Sequence, residues 1–561
     1  MDYLGKLNNI MNKEYIKQLS EKYLKEFGYS TFNKGQQEAI IFAVESILSG
    51  KIHTILEIPT GGGKSFIAIC IHKILRELKN NSYNSVILTT TNGLQKQYTD
   101  EFSELLELKG KNNYSCLKNT KGYSSPDCVK ELANKTCSKY QCPYIIARDS
   151  WILYQNIKIT NSTFFIKSPE AIVSTDETKK LNLCIIDECH EIDKVIVENT
   201  SLVFDFQQYK NITSSLNSFV DSFSKLLDIL KKLPNASAFC LSKISDDDNQ
   251  FIKSFKEELQ ILKESTENKI EFVGNTVSVQ TIVKYQMTVS ECKELIKLLS
   301  IISHDFYKKD IFEWVLLFDE FKSIYTIKPI SSNTPMTKMV LFDKAKQFIH
   351  MSATIGGIEQ YTKNLGISDY AYFEIDHPIP VKNRKIFTDN TIHINYQTDP
   401  KVIVKTLDRI IKNELANGNG VIHTVSFKLA QDIKKYSAYS KYMMVSNNRA
   451  EILDKLSKSK NTIILSPSIE TGYDFKGDLA RWQIIAKMPF LSLGDIYVTE
   501  RKRKSNKWYV RETVLRLIQA SGRIVRGISD YGNTYIIDKN FFNIVQNNVE
   551  LFPDWYLESI E

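Results

Sequence analysis

The stretch HTILEIPTGGGKSFIAICIHKIL, residues 53–75, limits the possible folds more than any other. A β-rich run from His53 to Ile58 enters a glycine loop, and an apolar-periodic helix follows. Strand, glycine loop and helix in that order predict an α/β fold whose loop holds phosphate at a helix N-terminus. Gly61, Gly62 and Gly63, preceded by Thr60, let backbone amides approach phosphate oxygens without side-chain collision. Lys64 supplies charge to the outer phosphates, and the Ser65 hydroxyl is a magnesium ligand of the expected kind. The strict GxxxxGK[ST] spacing requires glycine where Ile58 stands, so the loop is the shorter form PTGGGKS.

About 120 residues later, LNLCIIDECH reads as a buried strand that ends in Asp187 and Glu188. One carboxylate at a strand end suits a magnesium shell, and its neighbour suits orienting or deprotonating the attacking water. An apolar run followed by two acids is common; after a phosphate loop, and with His190 behind it, the pair indicates ATP hydrolysis. A third cluster, VLRLIQASGRIVRG, continues an apolar helical stripe into Gln519, Arg523 and Arg526. Arginines three apart share one face of a helix. A guanidinium reaching the γ-phosphate from a second domain accelerates hydrolysis by about 10³–10⁵.

At 561 residues the chain exceeds what one core supports, so several domains are expected. The net charge of +8 is compatible with a polyanionic partner without requiring one. The polar start MDYLGKLNNIMNKEYIKQLSEKY has no secretory pattern, and no apolar run reaches the roughly 18 residues of a membrane span. An intracellular protein is expected, cytoplasmic, or nuclear in a eukaryote. Four of the nine cysteines, Cys116, Cys128, Cys137 and Cys142, fall within 27 residues. A reducing compartment disfavours disulfides. The gaps of eleven, eight and four residues match the tight pairs of zinc sites only at the last step. The closing Cys-Pro also occurs in ferredoxin-type cluster runs. Spacing alone leaves an iron–sulfur cluster, zinc and no metal open. Cys70, Cys184 and Cys189 lie in apolar or motif segments and read as core or incidental.

With these motifs in order, the chain resembles the XPD/DinG family of superfamily-2 DNA helicases, in which the loop form PTGGGKS is at home. FNKGQQEAI matches the segment before the phosphate loop, with Gln36 where the family reads adenine. ILTTTNGLQKQY looks like the motif whose Thr90 and Thr91 touch the DNA backbone. DECH stands where the family has DEAH, with Cys189 in place of a small residue. HMSATIGG resembles the coupling motif through Ser352, Ala353 and Thr354. SPSIETGYDFKGD with IIAKMPF is similar to the fifth motif and places Glu470, Gly472 and Asp474 at a domain interface, with Asp474 implied as a nucleotide contact. QASGRIVR is the sixth. The family carries an iron–sulfur insertion where the four cysteines sit, flanked here by LKGKNNYSC and CPYIIAR. The resemblance therefore implies a 4Fe-4S cluster on Cys116, Cys128, Cys137 and Cys142, with ATP and Mg²⁺ as further cofactors.

The implied architecture is α/β: two RecA-like P-loop NTPase domains, with a cluster insertion and a helical arch insertion in the first. The expected division is 1–107 (first domain), 108–150 (iron–sulfur module), 151–200 (first domain), 201–310 (helical arch), 311–378 (end of the first domain) and 379–561 (second domain). Residues from Leu216 to Leu230 recur at helical spacing. FEWVLLF and YTIKPI read as strands returning to the first domain. The family activity is ATP-driven 5′-to-3′ translocation on single-stranded DNA with unwinding of forked duplex or RNA–DNA hybrid, by a monomer with no membrane partner. Lys109, Lys111, Lys118 and Lys121, around Tyr114, are candidate backbone contacts, and a solvated loop explains any one of them equally well. A translocase that does not unwind, or a scaffold whose ATPase has decayed, would share most of these features. Intact Lys64, Asp187, Glu188 and Arg526 argue against decay.

Overall fold

The computed structural model describes residues 2–115, 142–168, 172–234, 237–272, 277–303, 313–395, 397–467, 475, 477–527 and 529–561. Three sheets organise the described residues. The first holds β1 (His53–Glu57), β2 (Ser85–Thr89), β3 (Leu106–Glu107), β4 (Ile157–Asn161), β5 (Leu181–Asp187), β10 (Ala345–Ser352) and β11 (Tyr370–Glu374). Its order is β11-β1-β10-β5-β2-β4-β3, with every pairing parallel. Strands such as β1 and β2 are buried along their whole length, as a parallel sheet covered by helices on both faces requires.

Register places the motifs. Glu57 lies opposite Ser352, and Met351 lies opposite Asp187. The chain therefore leaves β1, β10 and β5 at one edge of the sheet, the carboxyl edge where open α/β sheets bind ligands.

The second sheet is also parallel, in the order β12-β17-β16-β13-β15-β14. Its strands are β12 (Ile386–Phe387), β13 (Gly420–His423), β14 (Met443–Val445), β15 (Ile463–Ser466), β16 (Trp482–Ile485) and β17 (Asn533–Ile536).

The third sheet differs from the sequence expectation. FEWVLLF and YTIKPI do form strands, β8 (Trp314–Asp319) and β9 (Ile324–Pro329), but they do not join the first sheet. They pair antiparallel with each other and with β6 (Leu202–Phe204) and β7 (Ala238–Phe239). Their inner residues Trp314, Leu316 and Ile327 share a core with Phe219, Phe223, Leu259 and Leu299 from the helices Phe219–Lys232, Asp246–Phe272 and Val279–Ile302. A short antiparallel sheet with one apolar face needs such a cover, and these helices supply it.

The helix Ile496–Lys504 joins the three parts. Arg501 forms a two-pronged pair with Asp193 of the helix Ile192–Thr200, at 2.9 and 2.7 Å. The Tyr497 hydroxyl donates to the Pro329 carbonyl at 3.1 Å, and the Ala238 amide donates to Glu500 at 2.9 Å. Lys504 meets Glu313 at 2.5 Å. Among the described residues, no helix is long and apolar enough to cross a membrane.

Candidate nucleotide site

The loop after β1 has the conformation its glycines allow. Gly61 and Gly63 take φ of 86° and 77°, a left-handed region that L side chains avoid. A Cβ on Gly62 would lie 2.7 Å from Ile58 Cγ2. The Gly62 amide donates to the Pro59 carbonyl at 3.0 Å and closes the turn, after which the helix Lys64–Leu78 begins. Asn33 Nδ2 donates to Gly61 O at 3.1 Å, and Gln36 Nε2 to Gly63 O at 3.4 Å. Gln36 is buried, and in this structure its amide holds the loop.

Lys64 Nζ lies 3.2 Å from Glu188 Oε1, so the groups suited to the outer phosphate and the attacking water touch directly. Burial works against the Lys64 charge, but Glu188 and Asp187 outweigh it and hold the ammonium above the usual lysine range. Burial likewise opposes ionisation of Glu188; Lys64, His190 and Arg526 overcome it and hold the carboxyl below its usual range. Asp187 moves the other way, pushed up by burial and then by the charge of Glu188. Glu188 has φ of 52°. A non-glycine residue in that region costs of order 1–3 kcal/mol and persists only where its surroundings impose it.

Tyr98, the last residue of the segment ILTTTNGLQKQY, in which only Thr90 and Thr91 were given roles, is fully buried beneath these groups and donates from its hydroxyl to Asp187 Oδ2 at 2.9 Å. The Ser65 side chain lies beside the same phenol and opposes the rise in its pKa. Ser65 and Asp187, the predicted magnesium ligands, thus both adjoin one tyrosine. Hydroxyl and carboxylate oxygens are the hard donors that Mg²⁺ takes, so this set fits the ion. Tyr98 sits on the helix Asn92–Glu101, whose N-cap is Thr91, and the motif that contains it gave no sign that it would reach Asp187.

The second lobe closes the site. His190 Nδ1 meets Ser352 Oγ at 2.7 Å, and its Nε2 contacts the Gln519 side-chain amide. A cleft of about 620 Å³ between the lobes is lined by Thr60, Glu188 and Ala353 on one side and by Gln519, Arg523 and Arg526 on the other. The arginines do not occupy a helical face as their spacing suggested. The helix Asn506–Ser521 stops at Gly522, and both follow it in a loop. Ile524 and Val525 anchor that loop in the core, and the Arg526 amide donates to Asp530 at 3.1 Å. Arg526 also comes close to the phosphate loop: a Cβ on Gly61 would be 3.6 Å from its carbonyl.

The family model for a helicase C-terminal domain matches residues 413–559, and that for the type III restriction enzyme res subunit matches residues 30–225. A Methanocaldococcus jannaschii protein named "Probable ATP-dependent helicase MJ0942" is 21% identical, over 92% of this chain and 93% of its own. The Candida albicans ATP-dependent DNA helicase CHL1 is 21% identical, over 95% and 73%. A solved XPD helicase superposes with a TM-score of 0.57 at 17% identity, covering 92% of this chain and 98% of its own. Xpd4 of S. tokodaii gives 0.57 at 13%, over 94% and 99%. Together these matches support an XPD/DinG-type superfamily-2 helicase.

In this ATP-dependent helicase the two parallel sheets are the RecA-like domains. Several expected site residues, Cys116, Cys128, Cys137, Glu470, Gly472 and Asp474, lie outside the described residues, as do Lys118 and Lys121. Cys142 is described: it is buried at the N-cap of the helix Pro143–Leu153. The Tyr114 and Tyr144 rings meet edge-on at 5.7 Å, which brings the two flanks of the cysteine segment together. Lys109 pairs with Glu107 at 2.8 Å. Thr90 and Thr91 line the cleft near its domain-one wall. Cys70, Cys184 and Cys189 are fully buried core residues, as their apolar surroundings predicted.

Proposed function

We propose that this helicase hydrolyses ATP to move 5′ to 3′ along single-stranded DNA and to separate the strands of forked duplex or of RNA–DNA hybrids. The observation that carries the reading is the meeting of Lys64 and Glu188 from one RecA-like domain with Arg526 from the other at a single cleft. Gln36, Thr60, Gly61, Gly62, Gly63, Lys64 and Ser65 hold the nucleotide, and the family resemblance adds Asp474 as a further nucleotide contact. Glu188, kept ionised by its neighbours, takes the proton of the attacking water. Arg523 and Arg526 neutralise charge on the transferring phosphoryl group. Ser65 and Asp187 would hold Mg²⁺, which neutralises phosphate charge when bound. The contact of His190 with both Ser352 and Gln519 carries closure between the domains.

In the same proposal Cys116, Cys128, Cys137 and Cys142 hold a 4Fe-4S cluster that stiffens residues 108–150 as a wedge. Residues 1–107, 151–200 and the strands near 345–378 make the first domain, and 379–561 the second. The arch insertion extends from 201 to about 330, because β8 and β9 complete its sheet.

Strand displacement from forked substrates, one with a 5′ tail and one with a 3′ tail, tests the function. ATP-dependent release only from the 5′-tailed fork is expected. Release only from the 3′-tailed fork overturns the polarity. ATP hydrolysis stimulated by single strands, without release from either fork, favours a translocase that does not unwind.

A further inference from the structure

The peptide unit of Ile355, just beyond the Ser352–Thr354 motif, is gripped from both domains. Its amide donates to Glu57 Oε1 at 3.0 Å, and Glu57 is the last residue of β1 before the phosphate loop. Its carbonyl accepts from Arg511 Nε and Nη2 at 3.1 and 2.7 Å. Arg511 belongs to the second-domain helix Asn506–Ser521, the helix that leads into Gln519, Arg523 and Arg526. It is completely buried.

The surrounding turn fits this grip. Gly356 has φ of 69°, and a Cβ there would lie 3.1 Å from Arg511 Cγ and from Leu515 Cδ2. A Cβ on Gly357, at φ of 83°, would lie 2.8 Å from Leu551 Cδ2. The turn is thus inserted into the second domain with room for glycine alone. Arg511 also stands 5.7 Å over the Tyr361 ring, and Tyr361 lies close enough to Cys189 of the DECH turn to influence its thiol.

A fork-shaped guanidinium on one carbonyl fixes direction as well as distance. Displacement of the helix that carries Gln519 and leads into the arginine loop must therefore pull on Ile355, and through its amide on the strand that enters the phosphate loop. We propose that Arg511 is a positioning residue which, with Glu57, clamps the Ile355 peptide and couples nucleic-acid engagement to ATP turnover. The inference rests on the helicase reading above.

The test compares wild type with Arg511→Gln, Arg511→Lys and Gly356→Ala. The readouts are ATP turnover with and without single-stranded DNA, KM for ATP, and hydrogen exchange at the Ile355 amide without nucleotide. The Gln variant should keep basal turnover and KM, lose about 2- to 30-fold of the DNA stimulation, and exchange faster at Ile355. Lysine, which keeps one donor to the carbonyl, should recover part of the stimulation. Gly356→Ala forces the turn away from Arg511 by a different route, so it should reproduce the Gln phenotype even if Arg511→Gln does not fold. Stimulation unchanged in both variants, or basal and stimulated turnover lost in parallel, overturns the proposal. A wild-type enzyme without DNA stimulation would instead overturn the helicase reading; unaltered exchange at Ile355 in the variants would overturn the clamp independently.

Discussion

Arg501 and Asp193 meet as a two-pronged ion pair across the domain boundary, at 2.7 and 2.9 Å, with both side chains removed from solvent. The Trp508 ring stacks against the guanidinium at 4.2 Å, and Ser332 donates to the same carboxylate. Removing one member of such a pair leaves an uncompensated buried charge and costs about 3–5 kcal/mol. Arg501→Ala should therefore lower the thermal unfolding midpoint more than Arg501→Ala combined with Asp193→Asn. Calorimetry of the two variants checks this, and additive losses would show that the pair is not coupled.

Lys64→Ala should abolish ATP turnover, because it removes both the phosphate ligand and the counter-ion that keeps Glu188 ionised. Glu188→Gln should lower turnover by about 10²–10⁴ while ATP still binds, as expected for loss of a general base. Phosphate release and equilibrium nucleotide binding, measured together, separate the two effects.

Tyr98→Phe removes one oxygen, and with it the hydrogen bond that orients Asp187 beside Ser65. Partners that orient metal ligands typically contribute about 10- to 100-fold in affinity. The variant should need about that much more Mg²⁺ for half-maximal ATP turnover, and saturating Mg²⁺ should restore most of the rate. A Mg²⁺ titration at fixed ATP decides.

Glu57 gives a pH signature. Burial, and then the charge of Glu374, push its carboxyl from 4.5 up to about 7. Tyr372 lies between the two acids, with its hydroxyl 2.8 Å from Glu57 and 3.0 Å from Glu374, and Asp376 and Asp554 add negative charge on the far side. One hydroxyl proton cannot serve both carboxylates, so the arrangement favours a proton on Glu57. Between pH 4.5 and about 7 the folded state holds a proton that the unfolded state has lost. The stability from this group is complete below that window and declines as pH rises through it. Glu57→Gln should flatten the decline in denaturant unfolding measured across the window.

If the proposed cluster is held as described, Cys137→Ser should spare ATP turnover more than strand displacement and lower the iron content of the purified protein. Equal loss of both activities would count against a wedge role.

The phosphate loop, the DECH strand and the sixth motif were legible because each is a short run whose chemistry depends on neighbours in sequence. Register then brought Glu57, Ser352 and Asp187 to one edge without further sequence cues. Tyr98, Arg511 and the Asp193–Arg501 pair were not legible, since each acts on a residue at least 89 positions away. The misplaced strands β8 and β9 show the same limit: an apolar run shows that a strand forms but not which sheet receives it. Arg523 and Arg526 were assigned to a helix because their spacing allowed it, whereas Gly522 ends that helix one residue earlier.

The third sheet has an evolutionary consequence. β6 and β9 lie side by side, Leu202 opposite Ile327, so the polypeptide departs from the motor and comes back to it at adjacent positions. What lies between them packs mainly on itself. Such an insert can be lengthened, trimmed or exchanged for another lineage's version while the ATP-driven parts keep their geometry. The replacement has to retain the footholds on the neighbouring helix, chiefly the Glu313 carboxylate and the Ala238 amide.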